Sequence, residues 1–181
     1  MCCEYFWKDE RAQSVDSVTL RPVSDADGDA LWGLLAPVFR AGDTYAIDRD
    51  IARQEALAYW CGPPRRVFVA EHAGDILGSY YIVRNQAGGG THVCNCGFVT
   101  APVAQGRGVA RTMLAHSMTT ARQHGFRAMQ FNFVVSTNTR AIEIWARAGF
   151  EVVGRLPGAF KHPENGYVDA LVMHRTLDQV P

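Results

Sequence analysis

Apolar and polar positions along the chain change period several times, and each change marks an element. Residues 18–23 alternate as a half-buried strand does. Ser24 followed three residues later by Asp27 is a helix-starting signal, after which Ala30, Leu31, Leu34, Leu35 and Val38 recur at helical spacing. A second helix is predicted over residues 48–59, stopped by Cys61-Gly-Pro-Pro because proline cannot continue a helix. Residues 66–72 and 76–84, rich in Val, Ile and Tyr and joined at Ala73-Gly-Asp75, read as a hairpin. A flexible connection at residues 86–90 leads to a strand over 92–100. Residues 108–124 then form an amphipathic helix with Val109, Met113, Leu114 and Ala121 inward. A strand at 129–135, a helix at 137–148 closed by Gly149, and strands at 151–156 and 168–176 complete the chain.

The 181 residues suit one core, and no repeat or linker divides them. The expected organisation is one α/β (α+β) domain over residues 18–178, behind an extension of residues 1–17 with mixed charge and no clear period. An apolar content of 48% with 20% charged residues excludes a disordered or low-complexity chain. Eighteen basic residues cancel eighteen acidic ones, so the electrostatic footprint of a nucleic-acid binder is missing. The longest uncharged stretch, residues 85–106, is broken by Gly88, Gly89, Gly90, Asn95 and Pro102 and fails as a membrane span. The N-terminus lacks the pattern of a secretory signal, so a cytoplasmic location is expected.

Five cysteines, Cys2, Cys3, Cys61, Cys94 and Cys96, show no framework spacing and are expected to be free thiols. His92, Cys94 and Cys96 alternate and would share one face of a strand, but no fourth ligand is evident and no metal is expected.

The most informative stretch runs from Cys96 through Gly106-Arg107-Gly108 to Ala110, a strand entering a glycine-rich turn that opens a helix. Backbone N–H groups at a helix N-terminus have no internal partner and carry the positive end of the helix dipole, so they can hold a pyrophosphate. Gly106 and Gly108 leave room for phosphate oxygens to approach the main chain, and Arg107 adds a cation nearby. An ordinary strand-to-helix connection has the same ingredients. The third glycine of a Rossmann fingerprint and the Lys-Ser/Thr of a Walker motif are both missing, so neither NAD nor ATP is supported.

Gln105-Gly-Arg-Gly108-Val-Ala110 resembles the Gln/Arg-x-x-Gly-x-Gly/Ala signature of the GCN5-related N-acetyltransferases, the GNAT superfamily. Asn138-Thr-Arg-Ala141-Ile-Glu-Ile-Trp145-Ala-Arg-Ala-Gly149-Phe150 is similar to the later pattern of that superfamily, and the interval between the blocks fits one helix and one strand. The resemblance implies a mixed, mostly antiparallel sheet with a central parallel strand pair splayed around acetyl-CoA and helices on both faces. It implies that Phe98, Val99 and Thr100 offer main-chain hydrogen bonds to pantetheine and that Gln105, Gly106, Arg107, Gly108, Val109 and Ala110 hold the pyrophosphate. Asn138 would bond toward the pantetheine or leaving group, and Trp145 would shape the thioester end. Val109 and Met113 read as core before ligand contacts, and Trp145 is equally readable as core.

Two departures matter. Many relatives carry a Glu or Asp on the strand before the cradle, and this strand has only His92, Cys94 and Asn95, so a water relay held by amides is expected. The usual proton-donating Tyr is replaced by Trp145, whose indole N–H is a donor but no practical acid. Phe131-Asn132-Phe-Val with Ser136-Thr-Asn138 and Asp169-Ala resembles a fungal subgroup that acetylates proline analogues such as azetidine-2-carboxylate, in which asparagines line the acceptor site. By that resemblance Asn95 and Asn132 are the candidate catalytic residues, with Lys161 and His162 in the loop before the last strand as cationic help. Asp43 and Tyr45 are the fallback. The expected partner is a small-molecule amine acceptor, with a homodimer left open. The alternatives are a protein N-terminal or lysine acetyltransferase and a non-catalytic acyl-CoA-binding module.

Overall fold

The computed structural model describes residues 18–177, so the predicted extension of residues 1–17 lies outside the described residues. Seven strands form one sheet in the order β1-β2-β3-β4-β5-β7-β6. In chain order these are β1 (Thr19–Pro22), α1 (Gly28–Ala41), α2 (Arg53–Cys61), β2 (Arg66–His72), β3 (Asp75–Arg84), β4 (Val93–Thr100), α3 (Val109–Gln123), β5 (Ala128–Val135), α4 (Thr139–Arg147), β6 (Glu151–His162) and β7 (Gly166–Thr176). Every neighbouring pair is antiparallel except β4 and β5, which run parallel. Among the described residues no helix is long and apolar enough to cross a membrane.

The period-2 alternation of the strands splits their side chains between two cores. On one face Tyr80, Ile82, Cys94, Cys96 and Phe131 pack against Val109, Met113, Leu114 and Ala121 of α3 and Trp145 of α4. On the other, Val67, Tyr81 and Val99 pack against Leu31, Leu34, Leu35 and Phe39 of α1 and Trp60 of α2. The inward stripe of α3 is the predicted one. In α1 the stripe is rotated toward Phe39, which is buried while Ala30 is exposed, and a short 3₁₀ turn at Asp25–Asp27 precedes the helix. The Asp27 carboxylate accepts from the Ser24 N–H and hydroxyl and from both Arg21 Nη atoms at 2.7 and 2.8 Å, and Arg21 holds its carboxyl well below the usual carboxylate range.

α2 starts five residues later than the pattern predicts. Arg40 on α1 donates to the carbonyls of Arg49 and Ile51, and Arg49 Nε returns a bond to the Arg40 carbonyl at 2.8 Å. These bonds occupy backbone acceptors that a helix turn would need, so residues 42–52 form a loop pinned to α1. β6 in turn runs past the predicted end at residue 156. A bulge between Leu156 and Phe160 carries it through Pro157 and Gly158 to resume pairing at Phe160↔Val168, Lys161↔Tyr167 and His162↔Gly166. Asp169 supports the bulge by accepting from the Gly158 N–H at 2.9 Å and Arg155 at 2.7 Å, which together lower its carboxyl pKa. Lys161 and His162 therefore sit in a strand and not in a loop.

Candidate active site

The feature that creates a site is the failure of β4 and β5 to stay together. They pair only at Val93↔Ala128 and Cys94↔Met129 and then diverge. In antiparallel pairing alternate residues turn their main-chain groups toward one neighbour. The Val93 carbonyl accepts from Asn85 and the Ala101 N–H donates to Leu77, so the odd-numbered residues of β4 serve β3. Phe98 and Thr100 consequently aim their N–H and C=O groups into the opening.

A cavity of about 490 Å³ runs from this opening to the start of α3. Phe98, Val99 and Thr100 line it from β4, Gln105, Gly106, Gly108, Val109 and Ala110 from the turn, and Asn138 and Trp145 from α4. Gly106 and Gly108 have φ of +80° and +84°, a backbone conformation that side chains disfavour, and this fixes glycine at both positions. The N–H groups of Gly106, Gly108, Val109, Ala110 and Arg111 find no acceptor among the described residues, and no side chain caps the helix. An anion seated there would meet several donors at once. Val109 contributes its N–H while its side chain is core, at 1% exposure. Arg107 does not line the groove; Arg111, Arg140 and Arg147 do. Arg140 Nη1 donates to Gln105 Oε1 at 3.1 Å, tying α4 to the turn. Arg111 stands three residues after Gly108, on the first turn of the helix, and that spacing was the available clue to it.

A second cavity, of about 210 Å³, continues from the first and shares Thr44, Phe98, Asn138, Ala141 and Trp145 with it. Asn95 and Asn132 both line it, so the structure brings these two candidates together. The Asn95 carboxamide has no hydrogen-bond partner among the described residues. Asn132 Nδ2 donates to Asn85 Oδ1 at 2.6 Å, and its Oδ1 accepts from Gln130 Nε2 at 2.9 Å. Asn138 caps α4 by accepting from the Ala141 N–H at 3.2 Å, which commits its oxygen and leaves its NH₂ for the cavities. Trp145 packs between Phe98 and Phe131, each with its ring centroid 5.0 Å away, and is at once core and cavity wall.

Three tyrosines complete the second cavity, and sequence reasoning named only Tyr45, as a fallback. The Tyr45 hydroxyl accepts the Phe98 N–H and donates to the Phe98 C=O, both at 2.9 Å, so one phenol occupies both main-chain groups that Phe98 aims into the opening. Edge contacts with Phe39 and Trp60 hold its ring. The Tyr81 ring lies over Gly97, where a Cβ would come within 2.5 Å of Cε1. Burial pushes the phenols of Tyr45 and Tyr81 and the thiol of Cys96 upward, so all three stay neutral. No Asp, Glu, His or Lys is among the described residues lining this cavity. His92 and Lys161 are exposed and His162 is half-buried, and all three lie outside it, the latter two at the far end of β6. Cys94 and Cys96 are buried in the core, and among the described residues no three His, Cys, Asp or Glu side chains gather.

The acetyltransferase (GNAT) family model matches residues 30–150, two thirds of the chain, spanning both cavities. The chain belongs to the GNAT family. This acetyltransferase is 40% identical to a GCN5-related N-acetyltransferase from Kribbella flavida, covering 88% of this chain and 97% of that one with a TM-score of 0.84. It is 29% identical over 148 residues to the N-acetyltransferase aca1 of Schizosaccharomyces pombe, covering 72% of this chain and 71% of the relative. The yncA protein of Salmonella typhimurium, solved with acetyl-CoA, shares the fold at 22% identity, with 91% and 96% coverage and a TM-score of 0.78. The donor of this acetyltransferase is acetyl-CoA. The orphan N–H groups of the turn and its two left-handed glycines suit the diphosphate of that donor.

Proposed function

We propose that this acetyltransferase moves acetyl from acetyl-CoA to the amine of a small molecule, an amino acid or a proline analogue, by direct attack within a ternary complex. The observation that carries the reading is the shared wall: the donor groove and the smaller cavity meet at Phe98, Asn138 and Trp145, so a thioester in one faces an amine in the other. The smaller cavity, about 210 Å³, lies below the ~300–1,000 Å³ usual for drug-sized ligands, which favours a single small molecule over a peptide.

In this reading the turn's N–H groups take the diphosphate and Arg111 and Arg140 balance its charge. Pantetheine lies along the free edge of β4. The Tyr45 hydroxyl releases the Phe98 N–H, which then donates to the thioester oxygen as negative charge develops there. The attacking amine is held by Asn95 and Asn132 and loses its proton to water carried by these amides, because no ionisable base lines the cavity among the described residues. The departing thiolate, with a thiol pKa of about 8.5, leaves without an acid from Trp145.

Thiol release from acetyl-CoA by the purified enzyme, with a panel of amino acids, simple amines and peptide N-termini, tests this. Small amino acids are expected to give the highest kcat/KM. A panel in which only peptides react would move the acceptor class to proteins, and release no faster than hydrolysis would make the chain an acyl-CoA-binding module.

A further inference from the structure

Tyr45 lies 53 residues before Phe98, yet its hydroxyl sits on both main-chain groups that Phe98 aims into the opening, 2.9 Å from the nitrogen and 2.9 Å from the oxygen. A donor laid along β4 uses those same groups, so phenol and donor compete for one place. A thioester oxygen that accepts the Phe98 N–H stands where the phenol oxygen stood, and the phenol must retreat by about one hydrogen-bond length, ~2.8 Å. It cannot go far. Phe39 and Trp60 meet its ring edge-on, with centroids 5.7 and 5.9 Å away, and Arg40 and Arg49 pin its loop to α1. The room for the retreat is the acceptor cavity, which Tyr45 lines. Its O–H, released from the Phe98 carbonyl, is then beside the new oxygen.

That oxygen has a second lone pair to fill, because a carbonyl oxygen accepts two hydrogen bonds. The neighbouring main chain does not fill it: Gly97 and Val99 are bonded to β3. Thr44 lines both cavities, but its hydroxyl donates to Asp43 Oδ1 at 2.9 Å. The Tyr45 phenol, kept neutral by burial, has a proton to donate throughout the neutral range.

We propose that Tyr45 is a catalytic residue, a displaceable second donor of the oxyanion hole: the arriving thioester takes the Phe98 N–H from it, and its O–H then bonds the same oxygen as charge develops there. This rests on the donor lying along β4 and holds for whatever amine the acceptor cavity takes. As the amine nitrogen attacks the thioester carbon, the C=O electron pair moves onto the oxygen between the two donors. When the pair returns, the C–S bond breaks, sulfur leaves as the thiolate and the amine proton goes to water. Tyr45 keeps its own proton throughout.

Tyr45→Phe in the full-length enzyme keeps the ring and its edge contacts and removes the hydroxyl alone. Its kcat is expected to fall about a hundredfold, the worth of one oxyanion donor, with acetyl-CoA bound no more weakly and KM for the acceptor within about threefold. The loss should be the same factor for a small amino acid, a simple amine or a peptide, whichever reacts, because the phenol serves the donor. Infrared spectra of bound acetyl-CoA labelled with carbon-13 at the thioester carbonyl give a readout that a merely structural role would not move. In the wild type the labelled band should lie below its position in water, and in Tyr45→Phe it should return toward higher frequency. The spectra need no acceptor, so they decide the role of Tyr45 even where the acceptor class proves different or no amine reacts. The wild-type comparison needs no variant. A kcat within about threefold of wild type overturns the proposal, as does a band that Tyr45→Phe leaves in place or a wild-type band at or above its position in water. A loss confined to one acceptor class, or carried by KM for the acceptor, would put the phenol against the amine and overturns it equally.

Discussion

The donor groove and the acceptor cavity meet at Phe98 and Trp145 but are made of different material. The groove is built from main chain: N–H groups of Gly106, Gly108, Val109, Ala110 and Arg111, and the free edge of β4. The cavity is built from side chains gathered from distant parts of the sequence, Tyr45, Tyr59, Tyr81, Asn95 and Asn132. Main-chain donors recognise a diphosphate whatever residues carry them, so the groove depends on conformation and only on the residues that permit it. Side-chain donors recognise shape and charge, so the cavity can be rewritten one position at a time without disturbing the groove.

The sharpest way to break this division is Gly108→Asp. The change forces a side chain onto a φ of +84° and puts a carboxylate where the diphosphate is expected. Calorimetry should show acetyl-CoA affinity reduced by about a hundredfold or more, a loss of roughly 3 kcal/mol. Unchanged affinity would remove the turn from the donor site. On the other side of the wall, Asn95→Ala and Asn132→Ala should each lower kcat/KM for the best acceptor by about tenfold, the worth of one or two hydrogen bonds, with acetyl-CoA affinity within twofold. Both variants staying within about threefold of wild type would place the acceptor elsewhere, with residues 42–52 the first region to examine.

A third measurement asks whether the cavity supplies a base at all. The Tyr45 and Tyr81 phenols are shifted upward and stay protonated through neutral and mildly alkaline pH, so they contribute no rising limb there. kcat/KM should increase about tenfold per pH unit below the pKa of the acceptor amine, and the midpoint should move with the amine from one substrate to another. A midpoint that stays fixed across acceptors would reveal an enzyme base. Trp145→Phe should retain turnover within about threefold, because the ring's packing against Phe98 and Phe131 is largely kept. A hundredfold fall with donor binding intact would give the indole N–H a chemical role. In the opposite sense, Tyr45→Phe leaves the Phe98 N–H without its phenol partner, and acetyl-CoA should bind up to about fivefold more tightly, near 1 kcal/mol.

The same division explains what could be read in advance. Gly106 and Gly108 follow a strand and open a helix within a dozen residues, and their spacing is set by local backbone geometry, so the groove was legible from order and composition. Asn138 at the start of α4 was legible for the same reason, although its oxygen is committed to the Ala141 N–H and only its NH₂ is left for the cavities. The cavity was legible at Asn95 and Asn132, through likeness to a subgroup, and at Tyr45 as a fallback. Tyr59 and Tyr81 become neighbours where α2 packs on β3, and no local spacing encodes that. The α2 start and the β6 end were misplaced where a long-range side chain decides the backbone: Arg40 holds residues 49–51 out of the helix, and Asp169 carries β6 past Pro157.

A sheet that stops pairing halfway along its central seam is also a sheet whose completion depends on a metabolite. Donor laid along β4 would shield the Thr100 amide from deuterium, which in its absence should exchange faster than the amides of Gly97 and Val99, bonded to β3. Because only the folded chain presents that edge, donor at a hundredfold excess over its dissociation constant would add about 2.7 kcal/mol to the free energy of unfolding. Resistance to heat and to proteolysis would then rise and fall with the acetyl-CoA supply, independently of whether an acceptor is present.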